Sequence, residues 1–241
     1  ACTSEDSERV VNLTYPKTEK VEVSDEYFGN TVVDPYRWLE DDRSDKTGEW
    51  VDAQNAVTFE YLSNLETVGE FQTRLTRLMD YPKESAPFRE GEYEYFYRNS
   101  GLQNQSLIYR RDDRGEEELF LDPNSLSTDG TTSVAALSFS HSGSLAAYQI
   151  SEGGADWRSV AVMDTNTLEV IDRIDDVKFS GLSWFGDEGF YYSRYDQPKG
   201  NELTAKTDQH KLYFHKVGEQ QEADTLIFGG DPKNKFRYVS G

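Results

Sequence analysis

The residues that could start chemistry in this chain are three histidines, His141, His210 and His215, one cysteine, Cys2, and its serines. A hydrolase nucleophile elbow needs Gly-x-Ser-x-Gly, because the sharp strand-to-helix turn has no room for larger flanking side chains. The nearest approach, Gly181-Leu-Ser183-Trp-Phe185, lacks the final glycine. It also lies within a strand repeat, so it is rejected. The histidines have no zinc-like spacing, and Cys2 stands far from all of them. Acidic runs at Glu116–Glu118 and Asp172–Asp176 lack the regular ligand spacing of a calcium loop and read as solvated turns. There is no phosphate-binding glycine loop and no dinucleotide fingerprint. No metal and no cofactor is expected, and the residues by themselves assemble no complete active site.

The elements that would position any site come next. The chain has 241 residues, enough for one sizeable core or two modest domains. Aromatics make up 13% of it, which suits pleated, half-buried strands and argues against disorder. There are 45 acidic residues against 25 basic ones, a net charge of -20. Such a surface repels phosphate backbones and anionic headgroups, so nucleic acid is not an expected partner. A single cysteine excludes an internal disulfide.

Residues 1–14 read as a polar tether. The opening Ala1-Cys2, followed by a polar spacer, resembles the end of a bacterial lipoprotein signal. That places the protein in the periplasm or cell envelope with Cys2 lipidated; the alternative is a cytoplasmic protein.

Residues 15–80 form a mostly helical segment. It begins extended, with Gly29-Asn30 as a turn. Asp34 then caps a helical turn opened by Pro35. Trp50, Ala53, Val57, Tyr61 and Leu65 recur at steps of three and four, which predicts a helix over 45–65 with one apolar stripe. Val68, Phe71, Leu75, Leu78 and Met79 predict a second, shorter one. Pro82 ends the helical region.

Beyond it the period becomes two. Tyr93–Tyr97 and Leu107–Tyr109 read as strands joined by a polar turn, with Tyr95 and Tyr97 on one face and Phe96 on the other. Strand candidates then continue to Phe228. Leu137-Ser-Phe-Ser-His-Ser-Gly-Ser-Leu-Ala-Ala-Tyr148 resembles Leu182-Ser-Trp-Phe-Gly-Asp-Glu-Gly-Phe-Tyr-Tyr192, and Phe88–Tyr97 is a weaker copy. Tyr238-Val-Ser-Gly241 looks like the first residues of a later one. The first two copies start 45 residues apart, at Leu137 and Leu182, and four short strands recurring at such a spacing make a propeller blade. The fold class expected is mainly β: an incomplete β-propeller over residues 81–241. An incomplete propeller leaves an unpaired sheet edge and an uncovered apolar face, so residues 1–241 alone should be poorly folded or self-associating.

Longer motifs carry a family resemblance. Asp34-Pro-Tyr-Arg-Trp-Leu-Glu-Asp41 and Val51-Asp-Ala-Gln-Asn55 come first. Asp80-Tyr-Pro-Lys83, Ser100-Gly-Leu-Gln-Asn-Gln105 and Phe120-Leu-Asp-Pro-Asn-Ser-Leu-Ser-Thr-Asp-Gly130 follow. Gly154-Ala-Asp-Trp157, Val177-Lys-Phe-Ser180 and His210-Lys-Leu-Tyr-Phe-His215 complete the order. From about Tyr15 onward the chain resembles the N-terminal part of prolyl oligopeptidases, serine peptidases of family S9.

The resemblance implies a seven-bladed propeller of which residues 81–241 are the first blades. It makes residues 15–80 the N-terminal piece of an α/β-hydrolase domain completed by the C-terminal third of the family's chain. It implies a serine endopeptidase that cleaves short proline-containing peptides, monomeric at full length, with the propeller gating access. The family's catalytic triad lies in the C-terminal part, which by this resemblance falls beyond Gly241. No catalytic residue is therefore assigned here, and this length alone is expected to be inactive. Two substrate-binding residues carry over. Phe179 matches a propeller position lining an outer subsite, and Asp156 matches one that pairs with a substrate-site arginine. Thr204–Gln209 departs from the family, and nothing is transferred onto it. The alternatives are an oligopeptidase B-like enzyme cleaving after Lys or Arg, and a non-enzymatic peptide-binding propeller.

Overall fold

The alternation in Leu145-Ala-Ala-Tyr-Gln-Ile-Ser151 sets the architecture. In a computed structural model that describes residues 13–196, 209–233, 235–236 and 238–241, this strand is buried on both faces. Cys2 and residues 204–208 lie outside the described residues. The described residues divide into two compact units, 13–75 and the part from Thr76 onward.

The first unit opens with a hairpin, β1 (Ser24–Tyr27) and β2 (Asn30–Val33). Its turn is Phe28-Gly29, with φ of 51° and 81°, one residue earlier than the sequence suggests. Two positive φ values match the turn twist to that of the strands. Asp34 accepts a hydrogen bond from the Tyr36 amide at 3.3 Å and from Arg37 Nε at 2.6 Å, opening the short helix Arg37–Glu40. Arg37 also pairs with Asp25 on β1, which ties the helical turn to the hairpin. Helix α1 (Asp45–Ser63) is capped by Ser44, whose Oγ accepts the Thr47 amide at 3.2 Å. Trp50, Ala53, Val57 and Tyr61 are half-buried along it, as is Leu65 just beyond its end. Helix α2 (Glu66–Met79) carries its own stripe, yet Phe71 and Leu75 are 66% and 57% exposed.

Among the described residues the second unit holds three antiparallel sheets. The first sheet holds β3 (Lys83–Glu84), β4 (Phe88–Glu90), β5 (Tyr93–Asn99), β6 (Leu107–Arg111) and β7 (Glu117–Leu121). The second holds β8 (Thr132–Phe139), β9 (Leu145–Glu152), β10 (Trp157–Asp164) and β11 (Val170–Lys178). The third holds β12 (Ser183–Phe185), β13 (Gly189–Arg194), β14 (Lys211–Lys216) and β15 (Thr225–Phe228).

Two cores separate the sheets. Ala146, Tyr148 and Ile150 of β9, with Ala161 and Met163 of β10, meet Tyr95, Ile108 and Phe120 of the first sheet. The intervening Ala147, Val160 and Val162 meet Phe190 and Tyr192 of the third. One strand therefore supplies both interfaces through its period of two. The third sheet's other side shows an aromatic group, with Phe185 near Tyr191 and Phe214. Phe185 and Phe228 there are 53% and 48% exposed.

The residues Tyr238–Gly241, expected from sequence to begin a further copy of the repeat, take no strand conformation. Gly241 instead rests against the third sheet. Its carbonyl accepts the Ser183 hydroxyl at 2.9 Å. A methyl group on it would lie 3.2 Å from the Tyr191 and Leu212 side chains. Pairing into a new sheet needs a neighbouring strand to bond to, and none follows Phe228 among the described residues.

Polar side chains fasten neighbouring sheets. Gln105 Nε2 donates to the Thr132 carbonyl at 2.8 Å, and its Oε1 accepts the Val134 amide at 3.0 Å. The side-chain amide thus imitates a neighbouring strand along β8. Asn124 does the same to the Gln105 backbone, at 2.9 and 3.0 Å. Replacing Gln105 by alanine orphans a backbone amide and a carbonyl, an expected loss of about 2 kcal/mol. A thermal midpoint unchanged in Gln105→Ala would rule that latch out.

Candidate functional site

The register of β10 and β11 brings the two transferred residues to one place. Trp157 pairs with Lys178 at the end of the second sheet. Asp156 and Phe179 are the next residues outward on the two strands. Asp156 is exposed, in a turn carried by Gly153 and Gly154, and makes no ion pair among the described residues. Phe179 has φ of 52°, a left-handed conformation that costs a bulky residue roughly 1–2 kcal/mol. The kink turns its ring outward, and the residue is 44% exposed. Phe179 is therefore not a core residue of its sheet.

Its neighbours come from far along the chain. The ring lies 5.9 Å from that of Tyr238, which is 65% exposed, and 6.3 Å from that of Tyr195. The Lys178 ammonium sits 4.9 Å from the Trp157 ring and 5.1 Å from the Phe179 ring. Together they form an aromatic ledge with one cation at its edge.

His210 holds the ledge together. It is buried and stacks on Tyr195 with ring centroids 4.4 Å apart. Its Nδ1 accepts the Val239 amide at 2.9 Å, and its Nε2 lies 3.0 Å from the Lys178 carbonyl. An amide can only donate and a carbonyl can only accept. The ring must therefore be neutral with its proton on Nε2. Burial is the main cause that lowers its pKa, opposed in part by the bond to the Lys178 carbonyl. One imidazole thus clips the residue before Phe179 to the residue after Tyr238.

The other histidines play different parts. His141 lies in the β8–β9 turn, where its amide donates to the Gly186 carbonyl at 3.1 Å. His215 is fully buried between two carboxylates, Asp224 Oδ1 at 2.7 Å and Asp172 Oδ2 at 3.0 Å. Asp172 is on β11, so the run Asp172–Asp176 is not simply a solvated turn: its first member seals the seam between the second and third sheets. Among the described residues no cluster of His, Cys, Asp or Glu could hold a metal.

Lys178, Tyr238 and His210 were not legible as site residues, because their relation depends on pairing across sheets. The one local sign was His210 standing just ahead of the alternating run Lys211–His215.

The chain has relatives along nearly its whole length. Residues 15–241 match the family model described as "Prolyl oligopeptidase, N-terminal beta-propeller domain". A prolyl endopeptidase of Elizabethkingia miricola is 53% identical over 232 residues, covering 95% of this chain and 33% of that protein. One from Elizabethkingia meningoseptica is 51% identical, covering 94% and 32%. The chain thus spans about a third of the length of these relatives. Prolyl oligopeptidase B from Galerina marginata, solved bound to a 35mer hydrolysis and macrocyclization substrate, superposes with a TM-score of 0.70. Its identity is 29%, over 90% of this chain and 34% of that one. Oligopeptidase B from Leishmania major gives a TM-score of 0.73 over 91% of this chain and 33% of that one, but 16% identity, which speaks for the fold alone. Sheets, motifs and family model coincide over nearly the whole length, and the chain belongs to the prolyl oligopeptidase family, in the region of its N-terminal β-propeller.

Proposed function

We propose that this chain is the propeller portion of a serine endopeptidase that cleaves short peptides after proline. The observation that carries the proposal is the identity of 53% and 51% to two prolyl endopeptidases over nearly the whole chain. In this reading the acyl-transfer chemistry belongs to the two thirds of the relatives that this chain does not span, past the position of Gly241. There a serine would attack the peptide carbonyl, a histidine would carry the proton, and an aspartate would orient the histidine. The propeller's part is selection by size and by surface. The exposed stripe of α2 supports a second element of the proposal, that residues 15–80 pack on the hydrolase domain. The peptidase acts as a monomer, with Cys2 as a lipid site in the cell envelope.

Within that enzyme Phe179 lines an outer substrate subsite and Asp156 pairs with an arginine of the hydrolase domain. An outward-turned aromatic ring supplies apolar area for a peptide side chain. The full-length gene product should release chromophore from a proline-linked peptide and leave an arginine-linked one intact. Cleavage after arginine, or none of either, would overturn the reading. Phe179→Ala should raise KM about tenfold with kcat little changed, since roughly 1.4 kcal/mol of apolar contact is lost. An unchanged KM would remove Phe179 from the site.

A further inference from the structure

We infer that Lys178 is a specificity residue that reads a carboxylate on the bound peptide, beside the apolar contact made by Phe179. The inference rests on the proposed peptide subsite and adds a charge requirement to it.

Lys178 is 6% exposed, so almost all of its stem is buried. Its ammonium is flanked by the Trp157 and Phe179 rings at 4.9 and 5.1 Å. Among the described residues no carboxylate or carbonyl takes a hydrogen bond from it. Asp156, the acid next in register at this end of the sheet, does not ion-pair with it. Its tip still reaches solvent: the polar side-chain atoms both sealed and unpartnered among the described residues are Tyr95 Oη, Arg158 Nε and Trp184 Nε1.

What sets Lys178 apart is burial without an acid: Lys46, Lys211 and Lys216 reach Glu19, Asp196 and Glu219, and Lys20, which lies over the Tyr36 ring, is exposed. With 45 acidic residues against 25 basic ones, partners are abundant. Two aromatic faces stabilise a cation by about 0.5–2 kcal/mol each, but they satisfy none of its N–H donors. A buried stem also fixes the ammonium in position, so little side-chain entropy is left to lose when an anion docks.

The geometry therefore has an open anion-binding valence at the edge of an apolar ledge. A peptide carboxylate fits it, either an acidic side chain or the free C-terminus. Long-range repulsion from a chain at -20 would otherwise disfavour such peptides.

Binding is the readout, so that the result stands apart from cleavage. Short peptides with one proline, the bond after it reduced to a methyleneamine, are titrated into the full-length gene product by fluorescence anisotropy. Glu and Gln are compared at each remaining position, and a free C-terminal carboxylate is compared with its amide. One Glu/Gln pair, or the carboxylate/amide pair, should differ about tenfold in Kd at low salt, the size of a charged hydrogen bond. The position that discriminates identifies the source. The difference should shrink with added salt. It should vanish in Lys178→Met, with the Gln peptide binding as before, and return in part in Lys178→Arg.

Equal affinities across every pair in the wild-type protein would overturn the inference, and so would a difference that survives in Lys178→Met. If Lys178→Met does not fold, the salt titration and Lys178→Arg still decide. Peptides that discriminate but whose unreduced forms are not cleaved would sink the peptidase reading alone. Peptides that are cleaved without discrimination would sink this one alone.

Discussion

His215→Leu should destabilise the protein by about 3–5 kcal/mol near pH 6, and by progressively less as pH rises. The imidazole lies at the seam of the second and third sheets with both nitrogens engaged. Asp224 Oδ2 also accepts the Tyr192 hydroxyl at 2.6 Å, and Asp172 Oδ2 accepts the Gly218 amide at 2.6 Å. Gln221 closes the group by bonding the Asp175 carbonyl and the Tyr192 hydroxyl. Burial pushes the His215 pKa down, but the bonds to Asp224 and Asp172 outweigh it and hold the pKa above its ordinary value.

The sign follows from linkage. A group whose folded pKa is raised contributes fully below its unfolded value, about 6.5 for histidine, and loses that contribution as pH passes the folded value. Leucine has no such dependence and leaves two carboxylates facing each other. Thermal midpoints of the two proteins from pH 5 to 9 would show it. A gap that widens toward pH 9 would mean that His215 is neutral in the fold.

Gly143→Ala is the second large effect, at about 2–4 kcal/mol. Gly143 sits in the β8–β9 turn with φ of 76°. A methyl group there would lie 2.7 Å from the Gly91 nitrogen and 2.8 Å from the Gly91 Cα. Both are backbone atoms of the corresponding turn in the first sheet, so no side chain can swing aside. The two sheets would have to part, and the core between them would open. Gly153→Ala is the control. Its φ is 57°, but nothing lies within 4 Å of the added methyl. It should therefore cost only the backbone term, about 1 kcal/mol. Equal midpoints for the two variants would show that conformation alone matters at Gly143.

The parts of the fold legible in sequence were those governed by short periods. The stripe Trp50–Leu65 needed only the helical repeat, and Pro82 marks where that repeat stops. The 45-residue echo between Leu137 and Leu182 marked equivalent turns, and the structure joins them. Ser142 Oγ bonds Asp187 Oδ1 at 2.9 Å, and His141 bonds Gly186.

The parts not legible were polar residues whose partners are distant. Asp172 and His215 are 43 residues apart, and an isolated aspartate among acids looks like surface. Leu168 is apolar like its strand neighbours, yet it takes φ of 60° in the turn, and β11 begins only at Val170. Gln105 and Asn124 stood inside family motifs, but a motif does not say that an amide is standing in for a strand. The ledge around Phe179 needed residues far apart in sequence, Lys178 and Phe179, Tyr195, His210, and Tyr238 and Val239, to meet.

The two-sided strand β9 restricts how this chain can change over time. Removing a single residue from it would present Ala147 where Tyr148 belongs, and tyrosine where alanine belongs, spoiling both interfaces at once. Evolution can lengthen the outer turns freely, but it can edit this strand only in pairs or by duplicating a complete sheet. Homologous chains should therefore differ in loop length around an unvarying spacing from Leu145 to Ser151.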